Sequence, residues 1–163
     1  MSISVRPALG SDVPLILAFV RELAAYEKLA DEVVATEEAL IVHLFGPRPA
    51  AEVLIGECNG EPMGFAVFFQ TYSTFLARPG IHLEDLFVRP EGRKQGLGQQ
   101  LLATIAHLAL ERGCGRLEWN VLAWNEPAKA FYRKLGAVPM DDWNLNRLVD
   151  EPLRALARTK HTH

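Results

Sequence analysis

The segment Arg93-Lys94-Gln95-Gly96-Leu97-Gly98-Gln99 combines two cations, two glycines and the start of an amphipathic run. Amide N–H groups at a helix start have no partner within the helix, and the helix dipole favours negative charge there. Such a loop suits a phosphate or pyrophosphate, and its glycines let backbone approach a ligand closely. A dinucleotide fingerprint would need a third small residue where Leu101 stands, and the acid at its expected distance, Glu118, falls inside a strand pattern. No Gly-x-x-x-x-Gly-Lys-Ser/Thr loop occurs. A tight turn whose glycines only pack a helix is the remaining alternative. Immediately upstream, Leu83-Glu84-Asp85-Leu86-Phe87-Val88 sets two adjacent acids in an apolar strand pattern. Strand alternation sends them to opposite faces, so one can face a cleft. A carboxyl in an apolar cleft is pushed up, which suits a general base.

Other reactive side chains carry less. Cys58 and Cys114 sit beside turn residues without a neighbouring His/Asp pair, so they read as ordinary small residues rather than catalytic nucleophiles. The histidines show no i,i+4 pair, and His161-x-His163 lies in a polar tail, so no metal is expected. Trp119, Trp124 and Trp143 read as core or subunit-contact residues.

These groups need elements to position them. Residues 3–6 alternate as a first strand, and Ser11 with Pro14 starts a helix running to about Lys28. Thr36 begins a second helix that stops near Gly46-Pro47. Strands at 53–57 and 63–70 flank Asn59-Gly60, a two-residue hairpin signal. A further strand at 81–88 leads through the glycine loop into a helix at 98–112, capped by Gly113, and then a strand at 116–122. Asn125-Glu126-Pro127 opens a helix ended by Gly136, and 145–149 read as a last strand. The pattern is α/β (α+β), with a mixed central sheet, and 81–122 form a βαβ crossover with parallel strands. Ligands in such crossovers gather at the carboxyl ends of the strands.

The chain of 163 residues, 49% apolar and 23% charged, is expected to form one domain over 1–157, with a flexible tail at 158–163. A net charge of −3 speaks against a nucleic-acid partner. No apolar run reaches the roughly 18–20 residues of a membrane span, and no leader pattern is read at the start, so a cytoplasmic protein without a membrane partner is expected.

Arg93-x-x-Gly96-x-Gly98 after Leu83–Val88 resembles the acetyl-CoA-binding motif of the GCN5-related N-acetyltransferase (GNAT) superfamily, and Trp124-Asn125-Glu126-Pro127 through Phe131-Tyr132 to Gly136 resembles its second signature. The chain is most similar to the diamine (spermidine/spermine) and thialysine acetyltransferase group, through Arg6-Pro7-Ala8, Glu22–Lys28, Thr71–Phe75, Leu83-Glu84-Asp85 and Trp124–Pro127. The resemblance implies a GNAT fold with a βαβ acetyl-CoA-binding core. It implies acetyl transfer from acetyl-CoA, as co-substrate, to a primary amine by direct attack in a ternary complex. Tyr132 then protonates the departing sulfur, and Glu84 is the base, working through water. Leu86, Phe87 and Val88 pair with the pantetheine arm, Val88 N–H being the oxyanion donor. Arg93, Lys94, Gln95, Gly96, Leu97, Gly98 and Gln99 hold the pyrophosphate, and Asn125, Glu126, Pro127 and Ala128 border the cofactor. Tyr26, Glu27, Glu84, Glu118, Trp119, Asn120 and Asp141 line the acceptor cleft.

The expected acceptor is a small molecule with a primary amine, and the expected assembly is a homodimer that uses the last strand. Polyamine-specific members carry an Asp where this chain has Ser73, and Phe75 replaces their tryptophan, which points toward the thialysine type. A non-catalytic acyl-CoA sensor and a protein N-acetyltransferase are the alternatives.

Overall fold

The computed structural model describes residues 2–161. They form two compact units, one ending at Leu122 and one beginning at Ala123. The first holds β1 (Ile3–Pro7), α1 (Val13–Tyr26), α2 (Glu37–Phe45), β2 (Glu52–Cys58), β3 (Glu61–Ser73), β4 (Arg78–Val88), α3 (Leu97–Glu111) and β5 (Leu117–Trp119). The second holds α4 (Glu126–Lys134) and α5 (Asp150–Arg158).

Sheet order follows chain order, β1 to β5, antiparallel except for the parallel β4–β5 pair. Asn59 and Gly60 have φ of 52° and 79°, the two left-handed positions that a tight β2–β3 hairpin demands. On one face, Ile16 and Phe19 of α1 pack against Val53, Ile55, Phe65, Val67 and Phe87. The Phe19 and Phe65 rings stack with centroids 5.2 Å apart. On the other face lies α3, whose Leu101 and Ile105 are fully buried. Leu97 fits there because Gly56 has no side chain; a Cβ would stand 2.7 Å from Leu97 Cδ1.

Three expectations about the elements change. Asp12, not Ser11, is the N-cap of α1, because a 3-10 turn at Gly10–Asp12 comes first and the Asp12 carboxylate accepts from Leu9 N–H and the Arg6 guanidinium. The expected strand over 116–122 is shorter, Leu117–Trp119. No strand forms at 145–149 among the described residues; α5 follows instead. Its start was legible in Asp150-Glu151-Pro152, acids and proline suited to a first helical turn, and Glu151 pairs with Arg154 and Arg158. Arg158 closes that helix, and Thr159 Oγ1 donates to Leu156 O at 2.7 Å. Residues 162 and 163 of the expected tail lie outside the described residues.

Candidate active site

The centre of the first unit is a defect in its sheet. Val67 pairs with Asp85 but Phe68 pairs with Leu83, so Glu84 is an extra residue in β4, a β-bulge. The bulge exchanges faces along the strand. Leu83, opposite Phe68, turns toward the α3 side, where Arg112 lies 6.0 Å over the Phe68 ring. Asp85 and Phe87, opposite Val67 and Phe65, turn toward α1.

The two acids therefore do not part to opposite faces as strict alternation predicts. His82, opposite Phe69, stands on the α1 side, and its Nε2 lies 3.7 Å from Glu84 Oε2. Asp85 in turn feels the charges of Glu84 and Glu27. Burial first, then those two neighbours, push Asp85 up to about 6 from 3.8. Glu27, just past α1, is also raised, by burial. The carboxyl group that burial perturbs most here is thus Asp85, while Glu84 is more exposed.

Beyond Leu83 the sheet opens. β5 pairs with β4 only at Ile81, His82 and Leu83, so among the described residues no strand flanks the β5-side edge of Glu84–Val88. That edge can take an extended chain by strand addition. Val88 itself pairs with Gly64 of β3, and its carbonyl accepts from Arg93 Nε at 2.9 Å.

The glycine loop continues from that edge. After the short 3-10 turn Pro90–Gly92, Lys94 and Gly96 take left-handed φ of 66° and 84°, and Gly96 caps α3. A Cβ on Gly96 would meet nothing within 4 Å, and one on Gly98 only Val88 Cγ2 at 3.8 Å. Open space over glycines at the amide end of a 15-residue helix fits an anionic phosphate group. Leu97 contributes backbone only, since its side chain is buried. Gln95 Nε2 donates to Glu91 O, which braces the loop, whereas Lys94 and Gln99 are exposed.

Arg93 also covers the Tyr26 ring, 5.3 Å from its centroid, and so joins the loop to the end of α1. A second tie was not expected from the sequence: Arg89 forms two 2.9 Å hydrogen bonds to Glu22 and lies 4.6 Å over Phe19. Glu118 pairs with His82 across β4–β5 and lies 3.5 Å from Arg116; Trp119 follows it in β5, and Asn120 is exposed just beyond. Tyr26, Glu27, Glu84 and Glu118 thus belong to one unit, with His82 and Asp85 added by the structure. No sequence signal marks the bulge beyond two adjacent acids in an apolar strand pattern.

In the second unit, buried Asn125 caps α4 by accepting from Ala128 N–H at 3.3 Å, and Pro127 occupies the first turn. The Ala128 amide is therefore engaged in the cap. Glu126 pairs with Lys129 at 3.2 Å and Arg133 at 3.8 Å on the helix surface. Tyr132 is half-buried two turns on, with its ring 5.6 Å from that of Phe131. Asp141 is exposed in the segment after α4. Cys58 and Cys114 are both buried and free.

The acetyltransferase (GNAT) family model matches residues 20–137. Thialysine N-epsilon-acetyltransferase of Bos taurus is 39% identical, over 95% of this chain and 97% of that protein. L-ornithine N5-acetyltransferase of Arabidopsis thaliana is 31% identical, over 93% and 86%. An integron cassette protein from the mobile metagenome of V. cholerae superposes with a TM-score of 0.80 at 25% identity, over 98% of this chain and 99% of that one. A ribosomal-protein-alanine N-acetyltransferase from Brucella melitensis shares the fold, with a TM-score of 0.72 at 20% identity over 91% and 100%.

Proposed function

Since this chain belongs to the acetyltransferase (GNAT) family and is an acetyl-CoA-dependent N-acetyltransferase, we propose that its acceptor is a small basic metabolite with a primary amine, of the thialysine or short-diamine type. The observation that carries this reading is the acidic set Glu27, Glu84 and Asp85 beside the open edge of β4. Carboxylates there attract an ammonium group. The names of the bovine and plant relatives, acting on thialysine and ornithine, support the same class.

An alkyl ammonium has a pKa near ~10 and must lose a proton before it attacks. In this reading Glu84 takes that proton through water, and the amine nitrogen bonds to the thioester carbonyl carbon. The oxygen gathers charge at the backbone of Val88. The carbon–sulfur bond then breaks, and the Tyr132 hydroxyl gives its proton to the leaving sulfur. The second proton of the attacking nitrogen is released to solvent, from which the tyrosine oxygen is reprotonated, leaving a neutral amide. Leu86–Val88 would hold the pantetheine arm of acetyl-CoA and the loop Arg93–Gln99 its pyrophosphate. The buried cysteines favour direct attack over an acetyl-cysteine intermediate. We assign the reaction to one catalytic domain over 1–157 in a cytoplasmic homodimer. Exposed Trp143, Leu145, Leu153 and Leu156 in the second unit support a subunit contact there.

Ser73 supports an amino-acid acceptor over a long polyamine. Its buried hydroxyl accepts from Leu76 N–H at 3.2 Å and so serves the β3–β4 turn, where polyamine-specific relatives carry an acid. The test follows CoA release with acetyl-CoA and equal concentrations of thialysine, ornithine, 1,5-diaminopentane and spermine. Fastest turnover with an amino acid or the diamine supports this reading, and a tenfold preference for spermine overturns it. Tight acetyl-CoA binding without turnover on any amine would assign the chain to a sensor.

A further inference from the structure

A histidine, His82, stands among these acids. Phe69, His82 and Glu118 stand in one row across β3, β4 and β5, because His82 is the register partner of both. Paired residues on neighbouring strands project from the same side of the sheet. The His82 ring lies against Phe69, centroids 5.1 Å apart, with its Nε2 3.7 Å from Glu84 Oε2. The His82 side chain is 21% exposed and that of Glu84 57%, so the histidine backs the carboxylate while the carboxylate faces solvent.

Charged groups come from several sides. β4 contributes Glu84 and Asp85, β5 contributes Glu118 with Arg116, and the end of α1 contributes Glu27. β3 offers the uncharged Phe69. Histidine is the side chain whose charge ordinarily changes between pH 5 and 8.

We propose that His82 determines acceptor selectivity by competing with the substrate cation for Glu84. Protonated, the imidazolium occupies the carboxylate and repels an incoming ammonium; neutral, it leaves Glu84 to the acceptor. This rests on the reading that Glu84 meets the amine. Acceptors carrying several positive charges lose most when His82 is charged, and an amino acid, whose own carboxylate balances one charge, loses least.

The test is the amine KM at saturating acetyl-CoA, with 1,5-diaminopentane and thialysine, from pH 5.5 to 8.5. Both side-chain amines stay cationic over most of that range. His82→Gln is permanently neutral and His82→Lys permanently charged, and thermal melting verifies that both are folded. The ratio of wild-type to His82→Gln KM for the diamine is expected to rise from about one at pH 8.5 to about tenfold at pH 5.5. Taking the ratio cancels whatever Asp85 contributes in both proteins. His82→Lys should raise the diamine KM about tenfold even at pH 8.5, with a smaller effect on thialysine. A ratio independent of pH, or equal effects on both amines, overturns the role of His82 while leaving the acetyltransferase reading intact. Turnover of no amine at any pH overturns both.

Discussion

Asp85→Asn keeps the shape of a half-buried side chain and removes the charge that burial, Glu84 and Glu27 all oppose. The carboxyl binds its proton more tightly in the folded protein, at about 6 against an ordinary 3.8. A raised value stabilises the fold fully below the ordinary value, and that contribution is lost as pH climbs through 6. At neutral pH the wild type therefore bears the cost of ionising a buried acid, and the asparagine variant does not. A difference of about two pKa units corresponds to about 3 kcal/mol at most. Partial solvent screening lowers this to about 1–3 kcal/mol, or roughly 3–10 °C in Tm for a chain of this size. Melting curves between pH 4 and 8 should show the variant equal to wild type near pH 4 and more stable at pH 7.5. Turnover should fall in the same variant, since a stabilising change at a functional group commonly lowers activity. A variant no more stable at pH 7.5, or a Tm difference that is the same at both ends of the range, would refute the reasoning.

Tyr132→Phe preserves the ring beside Phe131 and removes the hydroxyl, so kcat should drop about 10²–10⁴-fold with acetyl-CoA affinity unchanged in calorimetry. Gly96→Val forces a β-branched residue into a φ of 84° where open space surrounds it; the protein should fold, and acetyl-CoA affinity should fall at least about tenfold by titration calorimetry. Ser73→Asp can still accept from Leu76 N–H while adding a charge at the turn. It should raise spermine kcat/KM about tenfold or more relative to thialysine, one charge-assisted contact of roughly 1.5–3 kcal/mol. Wild-type selectivity in that variant would move the polyamine determinant elsewhere.

Local chemistry made much of this protein readable from its residues. Asn59-Gly60 required left-handed backbone and so made a hairpin, Thr36 capped α2 through its hydroxyl, and Asn125 capped α4 through its side-chain amide oxygen. The glycine loop leading into an amphipathic run marked the start of α3. Each of these signals acts within a few residues, so the sequence itself holds the cause. The placement of the acids is different in kind. Whether Glu84 and Asp85 share a face depends on how β3 registers against β4, and register is a matter of pairing between strands. A one-residue slip between Val67 and Phe68 turned opposite faces into neighbouring carboxyl groups and brought His82 to Glu84. Likewise, the open edge of β4 exists because β5 pairs at only three positions and stops. Neither the slip nor the early end of pairing is a property of any one segment; both are set by pairing between strands distant in the sequence.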